Sequence, residues 1–340
     1  METRKVQLTG GTTYTVSLPK SWATEQGITS GSTLYLYPNE DGSILVEPEI
    51  SADNRGHSST VDVHSYTDGE LAEAIHALYY NGVETITLID STADITSRER
   101  VVSSVLSQLI GFEIMEASPE KLVIENMTNA ESISIRKSAL RLRLIVLSMQ
   151  QDAIQAFVES DTGLAREVVK RDDEVDKLLA LVMRYFQRSL VSLEEVVELD
   201  LSRAKLFEYY YTTRQLERVA DHAEKIADLA LERPEAISEE LKETILSLGD
   251  ESRNIIEQSS NTVLSDLHVS ESFETLQRRD ELVSRIERLD RELYDHDKAK
   301  TAHQLGLVLD SLKRSADYGA NIAETAIQNA ARIGSLPDQV

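Results

Sequence analysis

Leu216-Glu-Arg-Val-Ala-Asp221-His-Ala-Glu-Lys-Ile226-Ala-Asp-Leu-Ala-Leu231 recurs 96 residues later as Leu312-Lys-Arg-Ser-Ala-Asp317-Tyr-Gly-Ala-Asn-Ile322-Ala-Glu-Thr-Ala-Ile327. Seven of the sixteen positions are identical. Upstream, Asp172-Asp-Glu-Val-Asp-Lys-Leu178 matches Asp280-Glu-Leu-Val-Ser-Arg-Ile286 at an offset of 108, and the additional 12 residues fall in the link Ser189–Asp200 of the first copy. Two helices repeated in one order, each apolar at a helical period, predict a duplicated helical unit.

Working outward, the pattern stays helical from about Thr128 to the end. Thr128-Asn-Ala-Glu131 reads as a capping box for a helix through about Val158. Asp161-Thr-Gly starts a second helix through about Leu190, and a third covers roughly Leu199–Leu231. Ser238 caps a fourth, Ser270 or Ser272 a fifth, and the sixth closes at Gly334. Six long helices with short links predict two antiparallel three-helix bundles, 129–233 and 234–340, divided near Pro234.

The upstream half reads differently. Nine of the 14 glycines fall at or before Gly111, so shorter, turn-rich elements come first. In residues 1–50, short strands at Lys5–Leu8, Tyr14–Leu18, Thr33–Tyr37 and Ile44–Val46 surround a short helix opened by Pro19. So few apolar side chains cannot close a core alone, so a homodimer is expected through this domain. Residues 51–128 alternate strand and helix (Val61–Val63, Gly69–Tyr80, Thr85–Ile89, Ser97–Ile110, Phe112–Glu116, Leu122–Glu125), a small α/β unit.

Composition limits the function classes. Of 340 residues, 59 are Asp or Glu and 35 Lys or Arg, a net charge of −24, yet 41% hydrophobic content is too high for a disordered acidic chain. A halophilic surface is the expected reading. The absence of cysteine excludes disulfides, thiolate metal sites and cysteine nucleophiles. No apolar run approaches a membrane span and METRKVQLTGG is no signal peptide, so a soluble, cytoplasmic protein without membrane insertion is expected. Phosphate-loop, dinucleotide and nucleophile-elbow motifs are absent, and no catalysis is expected.

One constellation could hold a metal. Glu217, Asp221, Glu224 and Asp228 lie three or four residues apart, opposite the apolar stripe Leu216, Val219, Ala223, Ile226, Ala230, and Asp172 and Asp176 form a similar i, i+4 pair. Carboxylates brought together by neighbouring helices suit a hard cation such as Mg, Mn or oxidised Fe. A chain this acidic also places carboxylates on solvent faces for solvation alone, and the residues leave both readings open. Glu73-Ala-Ile-His76 is the sole Glu-x-x-His, on a short helix outside the bundles, where a surface histidine is expected.

The segment from Leu216 to Ala227, with its repeat and the acidic helix before it, resembles the third helix of the PhoU family, phosphate-signalling regulators built from two tandem three-helix bundles. That resemblance implies metal clusters on an acidic motif, mapping here onto Asp172, Asp176, Glu217 and Asp221, with Asp280 and Asp317 as second-bundle counterparts. Ser284 and Lys313 break the motif there, so a first-bundle site is expected in preference to a second. The ions it implies are Fe, Mn, Mg or Zn.

The stretch Arg4–Trp22, followed by Gly31 and the Asp41-Gly42 turn, resembles a swapped-hairpin DNA-binding domain of the AbrB/MazE type. The order of the two resembles haloarchaeal regulators of phosphate uptake. Together they imply a mainly α multidomain protein: a small swapped-hairpin β domain (1–50), a small α/β domain (51–128) and two PhoU-like bundles. Arg4, Lys5, Thr13, Tyr14 and Lys20 are the candidate DNA-binding residues. Three basic groups against six acidic ones oppose binding driven by phosphate neutralisation. In molar salt, however, the Debye length falls to about 3 Å and local contacts decide. The expected partners are promoters of phosphate genes, a phosphate transporter or sensor, and a second copy of the chain. The alternative is a signalling adaptor that docks on transporter or kinase without touching DNA.

Overall fold

The computed structural model describes residues 3–38, 42–48, 58–90, 95–128, 133–232, 236–265, 268–293 and 298–336. It divides into two units, Met1–His57 and Ser58–Val340.

In the first unit, β1 (Gln7–Thr9) and β2 (Thr13–Thr15) form an antiparallel hairpin, α1 covers Lys20–Glu25, and β3 (Leu34–Pro38) pairs with β4 (Ile44–Pro48). No described residue of this unit is buried. Leu8, Tyr14, Val16, Leu36 and Ile44 are each more than half exposed. The acids Glu40, Asp41 and Glu49 lie outside the described residues.

The second unit opens with the α/β element. β5 (Ser58–Asp62), α2 (Asp68–Tyr80), β6 (Thr85–Ile89), a 3-10 turn at Ile95–Arg98, α3 (Glu99–Leu106), β7 (Phe112–Ala117) and β8 (Lys121–Asn126) build a sheet of order β5-β6-β8-β7, with β5 and β6 parallel. Thr67 closes a complete capping box with Glu70 at the start of α2. α3 is shorter than the Ser97–Ile110 expected, because the chain enters through the 3-10 turn and leaves at Ser107.

The bundles comprise α4 (Ile135–Glu159), α5 (Thr162–Val191), a short α6 (Leu193–Glu198), α7 (Arg203–Leu231), α8 (Glu239–Leu264), α9 (Ser270–Glu292) and α10 (Ala299–Arg332). Asp161 accepts hydrogen bonds from the Gly163 and Leu164 amides, and Ser238 caps α8 through the Leu241 amide. Two expected starts are corrected. Ser134, accepting from the Lys137 amide, caps α4; Thr128, the expected cap, donates its hydroxyl to Asn126 instead, and its expected partner Glu131 lies outside the described residues. α9 begins at Ser270, but Val269 is its cap residue and no side chain caps it.

The two bundles are not independently cored. α4 packs on α8 and α7 on α10, so one apolar core runs from Ile135 through Leu216 and Ile256 to Leu312 and Ile322. Pro234, the expected division, lies outside the described residues. Gly319 sets the approach of α10 to α8: a Cβ there would meet Ile255 Cγ2 at 2.9 Å and the Ile256 Cα at 3.3 Å. Gly319→Leu is therefore expected to destabilise the chain by about 1–3 kcal/mol of overpacking, read from urea unfolding midpoints.

Candidate metal centre and nucleic-acid face

α5 and α7 are neighbours in the first bundle. Each buries one stripe, Val168, Val175, Leu179 and Val182 on α5 and Leu216, Val219, Ala223 and Ile226 on α7. Their flanking carboxylates Asp172, Asp176, Glu217, Asp221 and Glu224 are thereby brought within electrostatic reach of one another. Burial, reinforced by Asp176, Glu224, Asp221 and Glu217, pushes the Asp172 carboxyl up to about 7. Burial also raises Asp176, with Asp221 and Asp173 adding to it, and Glu217, where Asp221 adds and Arg214 opposes.

Glu217 Oε1 accepts from Arg214 at 3.3 Å, while its Oε2 and Asp172 Oδ1 are buried with no hydrogen-bond partner. Orphaned, mutually repelling oxygens match the donor chemistry of a hard cation. Among the described residues, however, no three His, Asp or Glu side chains converge closely enough to hold an ion as they stand. The donors fit in kind, and closing on a cation requires side-chain rotation.

α2 borders this acidic face as well. It packs on α5, the Tyr80 hydroxyl is raised by burial and then by Asp176 and Glu73, and His76 offsets part of the Asp176 shift. Glu73 and His76 therefore lie beside the bundle rather than apart from it. The sequence carried the Glu-x-x-His spacing but nothing that placed α2 against α5.

A pH dependence follows. Unfolded, Asp172 titrates near 3.8; folded, it keeps its proton to about 7, so between those values the native state binds the extra proton. The contribution of Asp172 to stability must then fall as pH rises from about 4 to 7. Asp172→Asn is expected to flatten that part of the curve, measured by thermal unfolding across the window.

The second-bundle counterparts are arranged otherwise. Arg279 Nη1 donates to Asp317 Oδ1 at 3.2 Å, and its Nε lies 3.1 Å from Asp280 Oδ1, the Asp280 side chain being 73% exposed. The structure thus ties Asp280 and Asp317 to a guanidinium. Of the residues expected to face DNA, Arg4 and Lys5 precede β1, Thr13 and Tyr14 lie on β2 and Lys20 opens α1; all five are exposed.

Comparison with known proteins agrees with this architecture. Residues 139–230 match the family model described as the PhoU domain, and residues 7–53 match the MazE bacterial antitoxin family, described as antidote-toxin recognition. A phosphate-specific transport system accessory protein PhoU homolog of Clostridium acetobutylicum is 22% identical over 198 residues, covering 57% of this chain and 89% of the relative. A PhoU homolog of Thermotoga maritima is 34% identical over 82 residues, 24% of this chain and 33% of that protein. The crystal structure of PhoU from Pseudomonas aeruginosa superposes with a TM-score of 0.52 at 21% identity, over 60% of this chain and 99% of that one, and shows the shared fold. Behind an N-terminal MazE-type domain, then, this chain carries a PhoU domain in its first helical bundle.

Proposed function

We propose that the chain regulates phosphate uptake, binding operator DNA as a dimer through its N-terminal unit while its PhoU-like bundles report metal, phosphate status or a transporter partner. The observation that carries the reading is the joining of a PhoU domain to a MazE-type unit in which no described residue is buried. A second copy supplies the missing cover and doubles Arg4, Lys5 and Lys20 on the DNA face. Joint replacement of these three by alanine is expected to weaken binding to all sequences and to reduce the salt slope by about one per lost phosphate contact. Fluorescence-anisotropy titrations at several KCl concentrations read both quantities, and an unchanged slope removes these residues from the DNA face.

The first-bundle carboxylates Asp172, Asp176, Glu217 and Asp221 would hold the cation, whose charge relieves their mutual repulsion and cross-links α5 to α7. Elemental analysis checks this. The Glu217→Ala/Asp221→Ala variant is expected to lose the metal, and unchanged content would rule the site out.

The charge of residues 1–50, three basic against six acidic, favours a second reading as an adaptor without DNA affinity. Partner capture that survives removal of those residues, together with no DNA binding by the whole chain, would establish the adaptor.

A further inference from the structure

The two bundles treat one arginine in opposite ways. At the repeat offset of 108, Arg171 of α5 corresponds to Arg279 of α9. Arg171 turns towards α4: its Nη2 donates to Asp152 at 2.6 Å, its Nη1 to Ser148 Oγ at 2.8 Å, and its Nε to the Glu167 carbonyl at 3.1 Å. Asp172 and Asp221 are left without it. Arg279 turns towards α10, pairing with Asp317 at 3.2 Å and standing 3.1 Å from Asp280, the counterparts of Asp221 and Asp172. Lys313, at the position of Glu217, pairs at 2.7 Å with Glu287 on α9. The first bundle therefore sets five carboxylates against Arg214 and Arg218, whereas the second sets Asp280, Asp317 and Glu287 against Arg279 and Lys313.

We infer that Arg279 is a built-in counter-ion, holding α9 to α10 at the place where the first bundle leaves its carboxylates to an external cation. A guanidinium with five fixed donors can span two carboxylates. Unlike a dissociable ion, it keeps its charge whatever the metal supply. The second bundle is then cation-independent, and any metal response of the protein resides in the first. The comparison between bundles rests on the cation reading of the first bundle; the role of Arg279 does not.

The test is Mn2+ binding to the whole chain, read by the electron paramagnetic resonance signal of free Mn2+. Arg279→Gln/Lys313→Glu gives the second bundle the acidic character of the first. That variant is expected to bind about one more Mn2+ per chain than the parent, and adding Asp317→Asn should remove it. Arg279→Gln alone is expected to lower Tm at low salt and to regain the loss with Mn2+, whereas Arg279→Lys needs none. A double variant that gains no Mn2+, in a chain whose Tm loss Mn2+ fails to restore, overturns the inference. Failure of the first-bundle reading would show separately, as a parent whose Mn2+ binding is indifferent to Glu217→Gln/Asp221→Asn.

Discussion

Arg184→Ala is expected to destabilise the second unit by about 3–5 kcal/mol, the cost of stripping one partner from a buried ion pair. Arg184 lies on α5 yet is only 1% exposed. Its Nη1 donates to the carbonyls of Tyr79 (2.8 Å) and Val83 (2.9 Å), and its Nη2 to Glu84 at 2.9 Å, all from the α/β element. The guanidinium also stands over the rings of Tyr79 and Phe112, at 4.9 and 5.2 Å from their centres. Arg188, one turn on, joins Glu84 to the buried Glu195. Gly82 makes room for it, since a Cβ there would collide with the Arg188 side chain. Removing the guanidinium strips the buried Val83 carbonyl and the Glu84 carboxylate of this donor and leaves the Tyr79 carbonyl with the Gly82 amide alone. Urea unfolding should show a lower midpoint for Arg184→Ala, and a smaller loss for Glu84→Gln, which keeps a hydrogen-bond acceptor. A loss below about 1 kcal/mol for Arg184→Ala would mean that the α/β element is not held by this contact.

The second large effect lies in the N-terminal unit. Leu8→Asp/Leu36→Asp is expected to convert the proposed dimer to monomer. Both side chains are exposed in one copy, 58% and 62%, on strands that lack a core of their own. Carboxylates pressed into an apolar interface cost on the order of 2–4 kcal/mol each, which weakens dimerisation at least about 100-fold. DNA affinity should fall with it, because a monomer presents half of the phosphate contacts. Sedimentation velocity in molar KCl measures the change. A variant that sediments like the parent would place the dimer contact elsewhere.

Much of the fold was legible because it depends on local signals. The 96-residue repeat, the Asp161 and Ser238 caps and the strand Thr85–Ile89 are all as the sequence predicts. What depends on partners far along the chain was not legible. Arg184 reads as one more charge on a long helix until residues about a hundred positions upstream surround it. His76 reads as a surface histidine until α2 packs against α5. The Thr128–Glu131 motif points to an earlier start of α4 than the one observed, where Ser134 accepts from the Lys137 amide. The acidic face was partly legible. Spacing paired Asp172 with Asp176 and Glu217 with Asp221, and Ser284 and Lys313 already set the second bundle apart, but that Arg279 reaches both Asp280 and Asp317 shows only in the packing. That discrimination needs a rotamer, which no spacing rule contains.

The proposed regulation turns on DNA binding by the whole chain. Its most direct test is a competition titration of the whole chain in molar KCl, with a fluorescent duplex from a phosphate-gene promoter against unlabelled promoter and scrambled duplexes. The promoter is expected to compete at least about 1,000-fold better than the scrambled duplex, within the usual span between specific and non-specific sites. Equal competition by the two would contradict it and leave the adaptor.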